Sequence, residues 1–214
     1  MIIAVDGPAA SGKGTIARRL AAHYNLAYLD TGSLYRAVAL DVLQAGADPS
    51  DLQAALGAAQ RLDLISIDAS AIRRDDVAQG ASIVAALAPV RLAIRDLQRH
   101  FAQEPPKGFV GAVLDGRDIG TVICPDADAK IYVDADVKIR AKRRYLELKN
   151  RKSEASPPTE AEVLEDLITR DTRDRGRAIS PLKPAENALL LDTSNLSIEA
   201  AFQAACDLVD QAIA

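Results

Sequence analysis

Apolar residues along this chain fall into two alternating patterns. Residues 2–5, 26–29, 109–114, 130–133 and 188–191 are short runs of largely apolar residues, which suits strands buried on both faces. Between them lie stretches of helical spacing: 15–24, with Ile16, Leu20 and Tyr24 on one stripe, 33–45, closed by Gly46, and then 137–150, 160–175 and 198–213. Residues 77–87 and 90–101 also read as helical, parted by Pro89 in the first turn of the second. The segment 48–76 is less regular; Leu52, Ala55 and Leu56 suggest a helix, and 62–67 (LDLISI) reads as one more strand.

Short apolar strands alternating with helices predict an α/β protein with a mainly parallel, five-stranded sheet and no internal repeats. Ligands of such folds sit beyond the carboxyl ends of the strands. The polar clusters 7–15, 30–32 and 115–118 all fall there.

The first cluster has a specific spacing. Gly7-x-x-x-x-Gly12-Lys13 lies between a strand and a helix, as a P-loop requires. The glycines let backbone N–H groups close around a polyphosphate, the following helix adds its positive end, and Lys13 reaches the β- and γ-phosphates. ATP is thus expected along Gly7, Pro8, Ala9, Ala10, Ser11, Gly12, Lys13, Gly14 and Thr15. A hydroxyl that can help hold Mg²⁺ comes at Thr15, after Gly14 rather than directly after the lysine, and this GKGT form is similar to that of nucleoside monophosphate kinases.

Charge and cysteine content remove several other classes. With 26 basic and 30 acidic side chains the net charge is -4, the wrong balance for a binder of nucleic-acid polymers or acidic membranes. Two cysteines, Cys124 and Cys206, give no disulfide framework, and His23 and His100 stand apart from them, so no structural zinc site is visible. A chain that opens directly on a strand, without a signal peptide or an apolar run of bilayer length, is expected in the cytoplasm.

Arginines beside carboxylates mark the rest of the site: Asp30 to Arg36, Asp115-Gly116-Arg117-Asp118, and the run Arg170 to Arg177. If the helix over 160–175 continues, Arg170, Arg173, Asp174 and Arg177 share one face. By itself such a face is an exposed ladder of Arg–Asp pairs; opposite a P-loop it offers the cations that phosphoryl transfer needs. Arg140, Arg143 and Arg144 form a similar face on the preceding helix, and the Pro- and Ser-containing stretch 150–160 between the two helices reads as a lid.

The segments GPAASGKGT, LDTGSLYRAVAL, LDGRDIGTVICPDA with KIYVDA, and RDTRDRGRAISPLKPAENALLLDTS together resemble the bacterial cytidylate kinases over nearly the whole chain. The resemblance implies a single P-loop kinase domain over 1–214, a three-layer P-loop NTPase-type fold, and γ-phosphoryl transfer from ATP to CMP or dCMP with Mg²⁺. It implies that Thr31, Arg91 and Asp118 contact the cytosine, Arg36, Arg117 and Arg177 the CMP phosphate, and Ser82, Arg170 and Asp174 the ribose. Lys13, Arg117, Arg173 and Arg177 would carry catalysis, Thr15 would assist the metal, and the chain would act as a monomer. Many bacterial relatives have a longer insert with a β-hairpin after the Leu62-Asp63 region; here 68–79 leaves little room, so a reduced CMP-binding insert over 48–90 is expected. The alternatives are a kinase of UMP, AMP or a shikimate-like alcohol, or a P-loop switch, for which no N-K-x-D guanine motif is present.

Overall fold

A computed structural model of the chain describes residues 1–150 and 158–214. Among the described residues five strands, β1 (Ile2–Asp6), β2 (Ala27–Asp30), β3 (Ala112–Gly116), β4 (Ala129–Asp134) and β5 (Leu189–Asp192), form one sheet in the order β2-β3-β1-β4-β5. All of its pairings are parallel. The central position of β1 explains its run of apolar residues without polar alternation. Ile3 and Val5 pack with helices α1 (Lys13–His23) and α8 (Ile198–Ile213), while Ala4 enters the core on the other face. That second face is covered by α2 (Thr31–Gln44), α3 (Leu52–Gln60), α4 (Asp75–Val84) and α5 (Ala88–Gln103).

Two further helices, α6 (Val137–Asn150) and α7 (Glu160–Arg175), pack on each other through Ala141, Leu148, Val163 and Leu167. Ala9 and Ala10 of the P-loop join that small cluster, so the helix pair sits over the nucleotide-binding turn. The lid expected over 150–160 lies largely outside the described residues, at 151–157.

Two expectations change. Residues 62–67 form no strand; Leu64–Ser66 is a single 3₁₀ turn. Leu64 and Ile67 both pack against the α2–α5 core, and their spacing of three suits a turn rather than a pleat. The strand placed at 109–114 starts only at Ala112, because pairing with β1 begins at Ile2↔Ala112. Phe109 and Val110 lie beyond the sheet, with Val110 78% exposed. No β-hairpin occurs among the described residues of 48–90, which fold as α3, two 3₁₀ turns, α4 and the start of α5.

Candidate active site

The P-loop follows β1 because two positions accept no ordinary residue. At Gly7 an added Cβ would lie 2.0 Å from the Val133 carbonyl oxygen, and Gly12 has φ 90°, in the left-handed region. Helices α2, α3, α7 and α8 are each capped by a side chain at the N-terminus, from Asp30, Asp51, Thr159 and Ser197. Gly12 gives α1 no such cap, which leaves its first N–H groups facing the loop. The loop carbonyls are tied elsewhere: Thr193 Oγ1 donates to Ser11 O at 2.9 Å and Arg140 Nη1 to Ala9 O at 3.2 Å.

Lys13 stands where two cavities meet. One, of about 570 Å³, runs from Gly12, Thr15 and Arg18 to Arg143, Thr193 and Ile198. The other, of about 720 Å³, is lined by Tyr28, Asp30, Arg36, Asp115, Arg117 and Arg170. Lys13 and Gly14 line both, and Lys13 Nζ lies 3.6 Å from Asp115 Oδ1. Burial lowers the pKa of the lysine, with Asp115 opposing that shift, and burial raises that of Asp115, with Lys13 opposing it. Each therefore depends on the other to stay charged.

The parallel order β2-β3-β1 brings the ends of β2 and β3 beside the P-loop, with Asp30 opposite Asp115 in register. Thr31, Arg36, Ser82, Arg91, Arg117, Asp118, Arg170 and Arg177 all line one small cavity of about 40 Å³ there. Asp174 lies beneath it, accepting from Arg117 Nε and Arg177 Nη2, each at 2.5 Å. Attraction to those two arginines and to Arg170 holds its carboxyl below the ordinary value, against the effect of burial. Burial and then the charge of Arg117 push Arg170 down to about 9, so it remains a cation at neutral pH, and its buried Nε has no hydrogen-bond partner. This is a site with more buried positive charge than its own carboxylates neutralise, and an anion would relieve it.

Several side chains are engaged in ways their sequence positions do not reveal. Asp118 forms a buried ion pair with Arg91 Nη2, while Arg91 Nη1 donates to Ala85 O at 3.1 Å. Thr31 Oγ1 donates to Asp115 O at 2.8 Å, Arg36 Nη1 to Ile72 O at 3.2 Å and Arg173 Nη1 to Ser82 Oγ at 2.9 Å. Helix α7 ends at Arg175, so Arg177 does not continue its face; it reaches back to Asp174 from beyond the helix. Of the three arginines on α6, Arg140 is buried against Asp171 at 2.7 Å and Arg143 donates to Thr193. Both act as clamps, and Arg144 lines the large cavities.

Asp6 carried no signal beyond its place before Gly7. Its two oxygens accept the Ile119 and Gly120 N–H groups at 2.8 Å, fixing the turn that carries Asp118. Burial, opposed by those two bonds, pushes this carboxyl up to about 7 from 3.8. The folded state thus holds a proton that the unfolded state has lost, and the Asp6 contribution to stability falls as pH rises from about 4 to about 7. The total change is on the order of 4 kcal/mol. Measured by denaturant unfolding, wild type should therefore gain on Asp6→Asn between pH 8 and pH 5. A difference that stays constant across that range would mean that Asp6 titrates as an ordinary carboxyl.

Comparison with known proteins agrees with this geometry. The family model described as cytidylate kinase matches residues 3–211. A cytidylate kinase of Methylocella silvestris is 56% identical over 212 residues, covering 99% of this chain and 95% of the relative. One of Bradyrhizobium sp. is 56% identical over 210 residues, 98% and 96% of the two chains. A shikimate kinase from Bacteroides thetaiotaomicron, 12% identical, superimposes with a TM-score of 0.54 over 98% of both chains, a likeness of fold alone. A P-loop fold with a second arginine-lined cavity, matched along almost its full length by this family and its members, places the chain in the cytidylate kinase family.

Proposed function

We propose that the chain transfers the γ-phosphoryl group of ATP to CMP or dCMP, giving ADP and CDP or dCDP. The observation that carries this reading is the position of Lys13 between the P-loop cavity and one lined by Arg36, Arg117 and Arg170, which together with Arg177 also line the small cavity at the ends of β2 and β3. ATP would lie along residues 7–15 with its γ-phosphate at Lys13. Arg36, Arg117 and Arg177 would hold the acceptor phosphate, with Ser82, Arg170 and Asp174 at the ribose and Thr31, Arg91 and Asp118 at the base.

The acceptor phosphate is an anion at neutral pH, so no side chain needs to become a covalent nucleophile. A phosphate oxygen of CMP attacks the γ-phosphorus and the bond to the β–γ bridging oxygen breaks. Lys13, Arg117, Arg173 and Arg177 align the two phosphates and neutralise their charge. No group of three or more His, Cys, Asp or Glu among the described residues could hold a metal unaided. The exposed Thr15 hydroxyl beside the P-loop suits an ion that keeps phosphate and water ligands, as Mg²⁺ does. Bound there, Mg²⁺ would neutralise charge on the transferring group.

Other parts of the reading follow from the same site. Segment 48–90 would close over CMP, since α4 supplies Ser82 to the acceptor cavity and that cavity must widen to admit a base. The chain would act as a monomer. Cys124 and Cys206 are free and buried, and no single described helix is long and apolar enough to cross a membrane; a reducing cytoplasm suits both.

ATP-coupled assays with CMP, dCMP, UMP, AMP and shikimate test the reaction. Turnover is expected on CMP and dCMP, and turnover on shikimate alone would overturn the reading. Asp118→Ala tests the base. A carboxylate can accept from the cytosine N4 amino group but repels uracil O4, a discrimination worth about 1–3 kcal/mol, or roughly ten- to a hundredfold. The variant should lose far more kcat/KM on CMP than on UMP. Equal losses on both would leave Asp118 as a partner of Arg91 only.

A further inference from the structure

We propose that Tyr28 is a positioning residue for phosphoryl transfer, its phenol holding the Asp115 carboxylate toward Lys13 in space that Gly14 leaves open. This rests on the reaction proposed above. Tyr28 lies on β2, next to β3 in the sheet, and its hydroxyl donates to Asp115 Oδ2 at 3.3 Å. The other oxygen, Oδ1, is buried without a hydrogen bond and stands 3.6 Å from Lys13 Nζ. The terminal torsion of an aspartate is broad, so without a donor on one oxygen nothing in its own geometry keeps the other on the lysine. A single phenol supplies that donor.

Gly14 has a matching constraint. A Cβ at this position would come within 2.9 Å of Asp115 Oδ2 and 3.8 Å of the Tyr28 hydroxyl. A serine or threonine directly after the P-loop lysine is therefore incompatible with the carboxylate where it stands. In this chain the hydroxyl moves on to Thr15, and the vacated space holds the Tyr28–Asp115 pair. Arg18, one turn along α1, lies with its guanidinium carbon 5.0 Å from the centre of the Tyr28 ring and braces it from the other side.

Tyr28 also packs beside the α1–α8 core, so a purely apolar role is the competing account. Phenylalanine keeps that packing and deletes only the hydroxyl. With the acceptor that wild type phosphorylates, Tyr28→Phe should lower kcat about tenfold, the order expected for one hydrogen bond to a charged group, with KM for both nucleotides changed less than about twofold. In an Asp115→Asn background the same substitution should change kcat by less than about twofold, because the amide leaves no carboxylate charge for the phenol to hold toward Lys13. Gly14→Ala, which crowds the carboxylate, should also lower kcat, and adding Tyr28→Phe to it should do little more. Unchanged kcat in Tyr28→Phe, or losses that multiply independently in the Asp115→Asn background, would overturn the positioning role. Failure of wild type to form CDP would instead overturn the assigned reaction, and the kcat comparison on its true acceptor would still decide the role of Tyr28.

Discussion

Lys13→Ala is expected to lower kcat by about 10²–10³ at saturating ATP, because one preorganised contact to charge developing in the transition state is worth that much. Lys13 lies at the uncapped start of α1 and lines the cavities on both sides, the place a group in transit between two nucleotides would pass. Folding should survive the change. Asp115 loses its nearby cation, but burial already raises its pKa, and it can take up a proton instead of holding an unpaired charge. Steady-state turnover together with a thermal melt checks both halves. Near wild-type turnover would remove the P-loop from the mechanism, and a collapsed melt would assign the lysine to stability.

Asp174→Ala should give the largest loss of stability. Its side chain is 1% exposed and is shared by Arg117 and Arg177, whose side chains are 15% and 7% exposed. Removing one member of a buried ionic cluster leaves the others uncompensated, at a cost of about 3–5 kcal/mol. For a chain of this size that corresponds to a fall in Tm of roughly 6–20 °C. CMP at saturating concentration should recover part of the loss if its phosphate replaces the missing negative charge. A melting temperature close to wild type would show that the two arginines are held by something other than Asp174.

Much of this molecule was legible before any fold was known. Helices α6, α7 and α8 begin and end where apolar periodicity places them, and the strand–GxxxxGK–helix context marked the nucleotide loop. These features are local, written in the spacing of neighbouring residues. The groups at Thr31, Arg36 and Arg117 were also visible as strand-end clusters, and the parallel topology explains why they gather, since every strand delivers its carboxyl end to the same edge.

What the tertiary structure decided is which partner each charge takes. Arg140 and Arg143 look on paper like Arg170 and Arg177, yet the first pair clamps Asp171 and Thr193 while the second faces the cavity. Residues 62–67 alternate like a strand but fold as a 3₁₀ turn that packs on the helices. Asp6 and Tyr28 acquire their roles only because β1 and β2 lie beside or near β3, whose end carries Asp115 and leads to Ile119 and Gly120. Periodicity along the chain records how much of an element is buried. It cannot record which of several chemically equivalent arginines or carboxylates meet across separations of 31 to 113 residues, because strand register and competition for a few buried counter-charges settle that choice after the chain has closed on itself.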